Sequence, residues 1–148
     1  MQVSLIPTEH VSELWPRIFP HLSKAAEYTF GRYEPEDILD SITQYDHHLW
    51  VAFTGEEIKG ITITCFKQYP RMLCLDMVFC AGDEGMEWKA PMLKVLQHWA
   101  HDNDCDRIES SGRIGWSKIF KDDGYKALWQ VYELPVADAG LGLSLIHI

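Results

Sequence analysis

Between Val11 and Leu22 the apolar residues Val11, Leu14, Trp15, Ile18, Phe19 and Leu22 recur every three or four positions, whereas Gln2 to Ile6 alternates polar with apolar. The first spacing is one face of a helix and the second a half-buried strand, so the chain opens with a strand, stopped by Pro7, and then a helix. Pro16 and Pro20 fall inside the helical stretch. Each lacks an N–H and crowds the turn before it, which predicts a kinked or two-part helix. Glu34-Pro35-Glu36-Asp37 has the acidic first turn and early proline of a helix start. That second helix places Ile38, Leu39 and Ile42 inward and ends near Gln44.

His48 to Thr54 and Ile58 to Phe66 are rich in β-branched and aromatic residues, with Gly55-Glu56-Glu57 between them. They predict a hairpin, and Leu73 to Cys80 adds a third antiparallel strand. Met92, Leu93, Leu96, Trp99 and Ala100 then mark one face of a helix over Ala90 to Asp102, with Pro91 in its first turn. A short strand at Arg107 to Ser111, a short helix at Trp116 to Lys121 closed by Gly124, and a last strand at Leu128 to Leu134 complete the order. No repeat or linker divides these elements, which predicts one domain over residues 1–136 and a tail over 137–148.

Composition narrows the classes. A chain of 148 residues with 47% apolar content can bury one core. Its net charge of -9, from 22 acidic and 13 basic residues, comes with no basic run to meet a row of phosphates, so nucleic acid is not expected as a partner. The acidic surface suits a basic protein or an amine instead. No apolar run reaches the ~20 residues of a membrane helix, and the first residues lack the pattern of a signal peptide. Cys65, Cys74, Cys80 and Cys105 have no paired spacing and read as small hydrophobes in an intracellular protein. The tail ends in Leu143 to Ile148, LSLIHI, which is the translation of a transposon-adapter end sequence. Those six residues are expected to be an assembly artefact.

The stretch Ser110 to Leu134, SSGRIGWSKIFKDDGYKALWQVYEL, packs a strand end, a helix, a Gly-Tyr stop and a final strand into one unit. With the preceding order of strand, two helices, three antiparallel strands and helix, it resembles the GNAT superfamily of N-acetyltransferases. The resemblance implies an α/β (α+β) fold in a single domain. Its central sheet would be mixed and mostly antiparallel, with about six to seven strands and about four helices. It further implies acetyl-CoA as cofactor, held where the fourth strand splays from the fifth. The pyrophosphate would rest on backbone N–H groups before the next helix. In this chain the corresponding cofactor-binding residues are Phe79, Cys80, Ala81, Gly82 and Gly85.

Two positions depart from the family pattern. Aligned on Gly82, the family's Arg or Gln falls on Phe79 and its second glycine on Glu84, beside Asp83, so two carboxylates would oppose a pyrophosphate. The family's proton-donating tyrosine, five residues before Tyr125, falls on Phe120, which has no proton to give. A general base could still come from Asp76 on the fourth strand or Glu109 on the fifth, since burial in a strand raises a carboxyl toward the working range. The plain alternative is that each pairs with Arg71, Arg107 or Arg113, or faces water. His98, His101 and Cys105 are metal-ligand types, but no fourth ligand follows at a recognisable spacing, so no metal is expected. His47-His48 is not expected to supply a base, because adjacent strand residues point to opposite faces.

A narrower likeness is carried by Trp50, Tyr69-Pro70-Arg71, Cys80-Ala81-Gly82, Trp99-Ala100, Cys105-Asp106 and Gly112-Arg113-Ile114-Gly115-Trp116. These look similar to small GNAT-like proteins of tailed phages, some labelled internal virion proteins. The expectation is an atypical or non-catalytic GNAT-fold protein that binds a phage or host protein, in virion assembly or against the host. It would reside in the host cytoplasm or with the virion, and Trp88 and Trp116 could form its contact surface, with core packing as the alternative. The second expectation is an acetyl-CoA-dependent N-acetyltransferase acting on a small amine or a protein lysine.

Overall fold

The structure is a computed structural model that describes residues 1–111 and 121–136. The chain divides into two units, Met1–Ser111 and Gly112–Ile148. In the first unit the elements are β1 (Gln2–Ile6), a 3-10 turn (Thr8–His10), α1 (Val11–Glu27), α2 (Pro35–Gln44), β2 (His48–Thr54), β3 (Glu57–Gln68), β4 (Leu73–Gly82), α3 (Lys89–Asp102) and β5 (Arg107–Ser110). The strands lie side by side in chain order. β1 to β4 run antiparallel, and β5 runs parallel to β4. Tight hairpins and a return through helices give the antiparallel pairs, while the helical crossover through α3 brings the chain back in the same direction.

Each face of the sheet has its own helices. On one face Ile18 and Leu22 of α1, with Ile38 and Ile42 of α2, pack onto Leu49, Val51, Ile61, Ile63, Phe79 and Ala81. On the other, α3 buries Met92, Leu93, Leu96 and Ala100. α2 begins on Pro35, and its first turn is tied by the Glu34 N–H donating to the Asp37 carboxylate at 2.8 Å.

One irregularity decides which side chains share a face. Ile63 pairs with Phe79 but its neighbour Thr64 pairs with Met77, so Val78 is an extra residue in β4. Such a bulge shifts the alternation of everything before it by one. Cys65 therefore pairs with Asp76, and Asp76 lies on the same face as Phe79 although the two are an odd number of residues apart.

Three expectations change. α1 is one helix of 17 residues containing both Pro16 and Pro20, not two pieces. Both prolines are exposed, so the carbonyls they leave unbonded face water, while Val11, Ile18, Leu22 and Ala25 hold the other side to the sheet. Among the described residues there are five strands and three α-helices, where six to seven and four are expected. Leu128 to Leu134 forms no ladder, and Trp129, Val131 and Tyr132 are 66%, 77% and 86% exposed. Strand propensity is a preference for a half-buried pleated surface, so alternation alone does not make this stretch a strand. Gly124 makes its expected stop, with φ +87° and its N–H on the Lys121 carbonyl at 3.2 Å. The expected helix over 116–121 and the tail over 137–148 fall largely or wholly outside the described residues.

Candidate functional site

The parallel register of β4 and β5 sets Asp76 directly beside Glu109. The two candidate bases thus share one face and one place. β5 is short, so its position depends on added ties. The Asp106 N–H donates to the Leu73 carbonyl at 2.7 Å, the Leu73 N–H donates to the Asp106 carboxylate at 3.0 Å, and the Ser110 hydroxyl donates to the Met77 carbonyl at 3.1 Å. These bonds pin both ends of the β4–β5 pair around the carboxylates.

The turn from β3 to β4 brings a third group. The Tyr69 N–H donates to the Met72 carbonyl at 2.8 Å, and the Gln68 side chain donates to the carbonyls of Tyr69 at 2.7 Å and Met72 at 3.2 Å. So held, the Tyr69 hydroxyl donates to Glu109 Oε1 at 2.6 Å. The Lys67 ammonium stands 5.4 Å from the centre of the Tyr69 ring. Cys65 faces Asp76 from β3. Arg107, offered above as a partner for the carboxylates, instead donates to the Asp106 carbonyl at 2.8 Å. Arg113 lies outside the described residues.

Burial pushes the Asp76 carboxyl above its ordinary value, and the Glu109 charge adds to this, while Lys67 and His47 oppose it. The Cys65 thiol is raised by burial and then by Asp76, which makes it a poor nucleophile. The hydrogen bond to Glu109 raises the Tyr69 phenol.

A carboxyl raised in the folded state contributes stability below its unfolded value of 3.8, and that contribution is lost as pH rises through the folded value. Asp76→Asn is therefore expected to be more stable than the natural protein at neutral pH. The gain should fade toward pH 3. Paired thermal melts across that range test the sign, and a loss of stability at neutral pH would contradict it.

The loop after β4 is organised by Trp88, which is 1% exposed. Its indole lies against Gly60 of β3 and Gly82 of β4, paired across the two strands, and a Cβ at either glycine would overlap the ring. Its Nε1 donates to the Asp83 carbonyl at 3.0 Å. Trp88 is thus core, not contact surface, while Trp116 lies outside the described residues. The Lys24 ammonium donates to the Gly82 carbonyl at 2.8 Å. Lys59 bridges Glu57 at 2.9 Å and Asp83 at 3.8 Å, which draws the Asp83 carboxylate to the β3 side.

The expected cofactor residues divide by face. Phe79 and Ala81 are buried toward α1 and α2, and Phe79 meets the Tyr33 ring edge-on at 5.1 Å. Cys80 points the other way onto Thr62 at 3.3 Å, and burial pushes its thiol up to about 11. Gly82 is covered by Trp88, whereas Gly85 is exposed with open space above its α-carbon. A ligand here would meet backbone rather than the side chains of Phe79, Cys80 or Ala81.

The N–H groups of Asp83, Met86 and Lys89 are already bonded to the carbonyls of Lys59, Asp83 and Met86. Pro91 has none. Glu84, Gly85, Trp88 and Ala90 keep N–H groups outside the recorded backbone bonds, which is a donor set that fits a diphosphate. The charges of Glu84 and Glu87 work against one.

His48 belongs to a structural network. The Trp50 indole donates to the Thr64 hydroxyl at 2.9 Å, and the same hydroxyl is hydrogen-bonded to His48 Nδ1, also at 2.9 Å. Burial lowers the His48 value, and His47 adds to this. His101 sits 3.6 Å from Asp102 on the exposed side of α3. Tyr69, the site residue the functional reading of the sequence passed over, was visible there only as part of Tyr69-Pro70-Arg71.

The fold is that of the GNAT acetyltransferases. The chain is similar to the crystal structure of a "probable acetyltransferase" with TM-score 0.68 at 14% identity, covering 91% of this chain and 98% of that one. It is similar to a ribosomal-protein-alanine N-acetyltransferase from Brucella melitensis biovar Abortus 2308, with TM-score 0.64, 14% identity and coverage of 91% and 99%. A GNAT family acetyltransferase from Staphylococcus aureus matches with TM-score 0.65 at 9% identity, covering 90% and 97%. No family model and no curated protein sequence matches the chain. The narrower likeness to phage proteins rests on the sequence motifs alone. Among the described residues no helix is long and apolar enough to cross a membrane.

Proposed function

We propose that this protein is an N-acetyltransferase for a cationic amine, either a small molecule or a protein lysine, with Asp76 as the group that accepts the amine's proton. The observation that carries this reading is the β4–β5 register, which places a raised carboxyl and a second carboxylate side by side on one face of the sheet. An amine arrives as an ammonium, so a negative site attracts it, and a carboxyl raised above its ordinary value is the better acceptor for its proton. Acetyl-CoA supplies the acetyl group as a thioester when bound. The N–H groups of Glu84, Gly85, Trp88 and Ala90 would hold its diphosphate, and the burial of Phe79 and Ala81 leaves that loop's backbone as the contact.

Calorimetry with acetyl-CoA and with coenzyme A tests the reading. Absence of heat at high micromolar concentration would overturn it. Glu84→Gln is expected to tighten coenzyme A binding by roughly 1.5- to 5-fold, since one exposed charge is worth about 0.2–1 kcal/mol. The gain should shrink at high salt, and an unchanged affinity at low salt would place Glu84 away from the diphosphate.

The carboxylates of Asp83, Glu84 and Glu87 around the loop favour a second reading, a GNAT fold that binds a phage or host protein without catalysis. Under it the purified protein captures a partner from infected cells and gives no heat with the cofactor.

A further inference from the structure

Glu109 and Asp76 are neighbours in register on one face, and two carboxylates so placed cannot both be ionised without cost, so the proton affinity of one depends on the other. Their surroundings differ. Glu109 Oε1 receives the Tyr69 hydroxyl at 2.6 Å, a short bond of the kind that is strongest to a charged acceptor. Asp76 faces Glu109 from β5, Cys65 and Lys67 from β3, and His47 from the turn before β2. None of these groups is recorded as hydrogen-bonded to it.

We propose that Tyr69 is a positioning residue of this site: by donating to Glu109 it holds that carboxylate as a hydrogen-bond acceptor beside Asp76 and so makes Asp76 the stronger proton acceptor of the pair. Tyr69 acts on Asp76 only through Glu109. The Tyr69 N–H bond to Met72 and the Gln68 contacts fix the phenol in place, so the bias is built into the β3–β4 turn. The inference rests on reading Asp76 as the proton acceptor of the reaction, but the proton's location can be measured without cofactor or substrate.

Carbon-13 side-chain spectra of the full-length, ligand-free protein, followed across pH, report each carboxyl separately. In Tyr69→Phe the Asp76 midpoint is expected to fall by roughly half to one pH unit, the equivalent of one hydrogen bond. In a Glu109→Gln background Tyr69→Phe is expected to leave Asp76 where it was. Uniform 3-fluorotyrosine labelling, which keeps the ring and strengthens the donor, moves the Asp76 midpoint the other way and covers the case of a poorly folded Phe variant. An unmoved Asp76 in Tyr69→Phe, or the same movement with and without Glu109, overturns the proposal. If these movements appear and no acetyl transfer is found, only the enzymatic reading falls.

Discussion

Trp88→Ala is expected to destabilise the protein by about 3–5 kcal/mol, the usual cost of emptying a buried aromatic site. The indole is nearly inaccessible and fills the space that Gly60 and Gly82 leave by having no side chains. Its removal opens a cavity floored by two glycines, which have no atoms to move into it. The bond from Nε1 to the Asp83 carbonyl is lost as well. Urea unfolding measures the change, and a loss below about 1 kcal/mol would mean the site collapses without penalty. Because Trp88 also sets where α3 begins, the same variant should loosen the loop over 83–88. Amide exchange at Asp83 and Met86, whose N–H groups are bonded in the folded loop, should then quicken.

Asp76→Asn is expected to reduce acetyl transfer by about 10²- to 10⁴-fold, the range a positioned proton acceptor contributes. Asparagine preserves shape but cannot take the amine's proton at neutral pH. Binding of acetyl-CoA should be unchanged, since the donor groups for it lie on the loop after β4 and not on Asp76. The same variant is expected to be more stable near neutral pH, so lost activity with gained stability would separate a chemical role from a structural one. Activity within a few-fold of the natural protein would move the base to Glu109 or to solvent.

Much of the fold was legible because local spacing and hydrophobic burial agree. Gln2 to Ile6, Glu34 to Gln44 and His48 to Thr54 form the elements their patterns predict. Agreement failed where a local rule met a tertiary context. Pro16 and Pro20 break no helix, since both fall on its wet side. Leu128 to Leu134 has the pattern of a strand without the ladder that would make it one. At the site, Asp76 and Glu109 could be picked out as buried-strand carboxylates, but their contact could not. Tyr69 carried no signal of its role, because its partner is forty positions away.

The amino-acid order by itself determined the succession of elements from β1 to β5, the antiparallel run of β2 to β4 and the acidic character of the loop after β4, because periodicity, turn chemistry and charge are local. Only the tertiary structure decided that Val78 is an extra residue in β4. Simple alternation would place Asp76 on the face opposite Phe79. The bulge turns it to the same face, where the parallel pairing with β5 meets it with Glu109. The pairing of β4 with β3 imposes that shift, and no period within β4 encodes it.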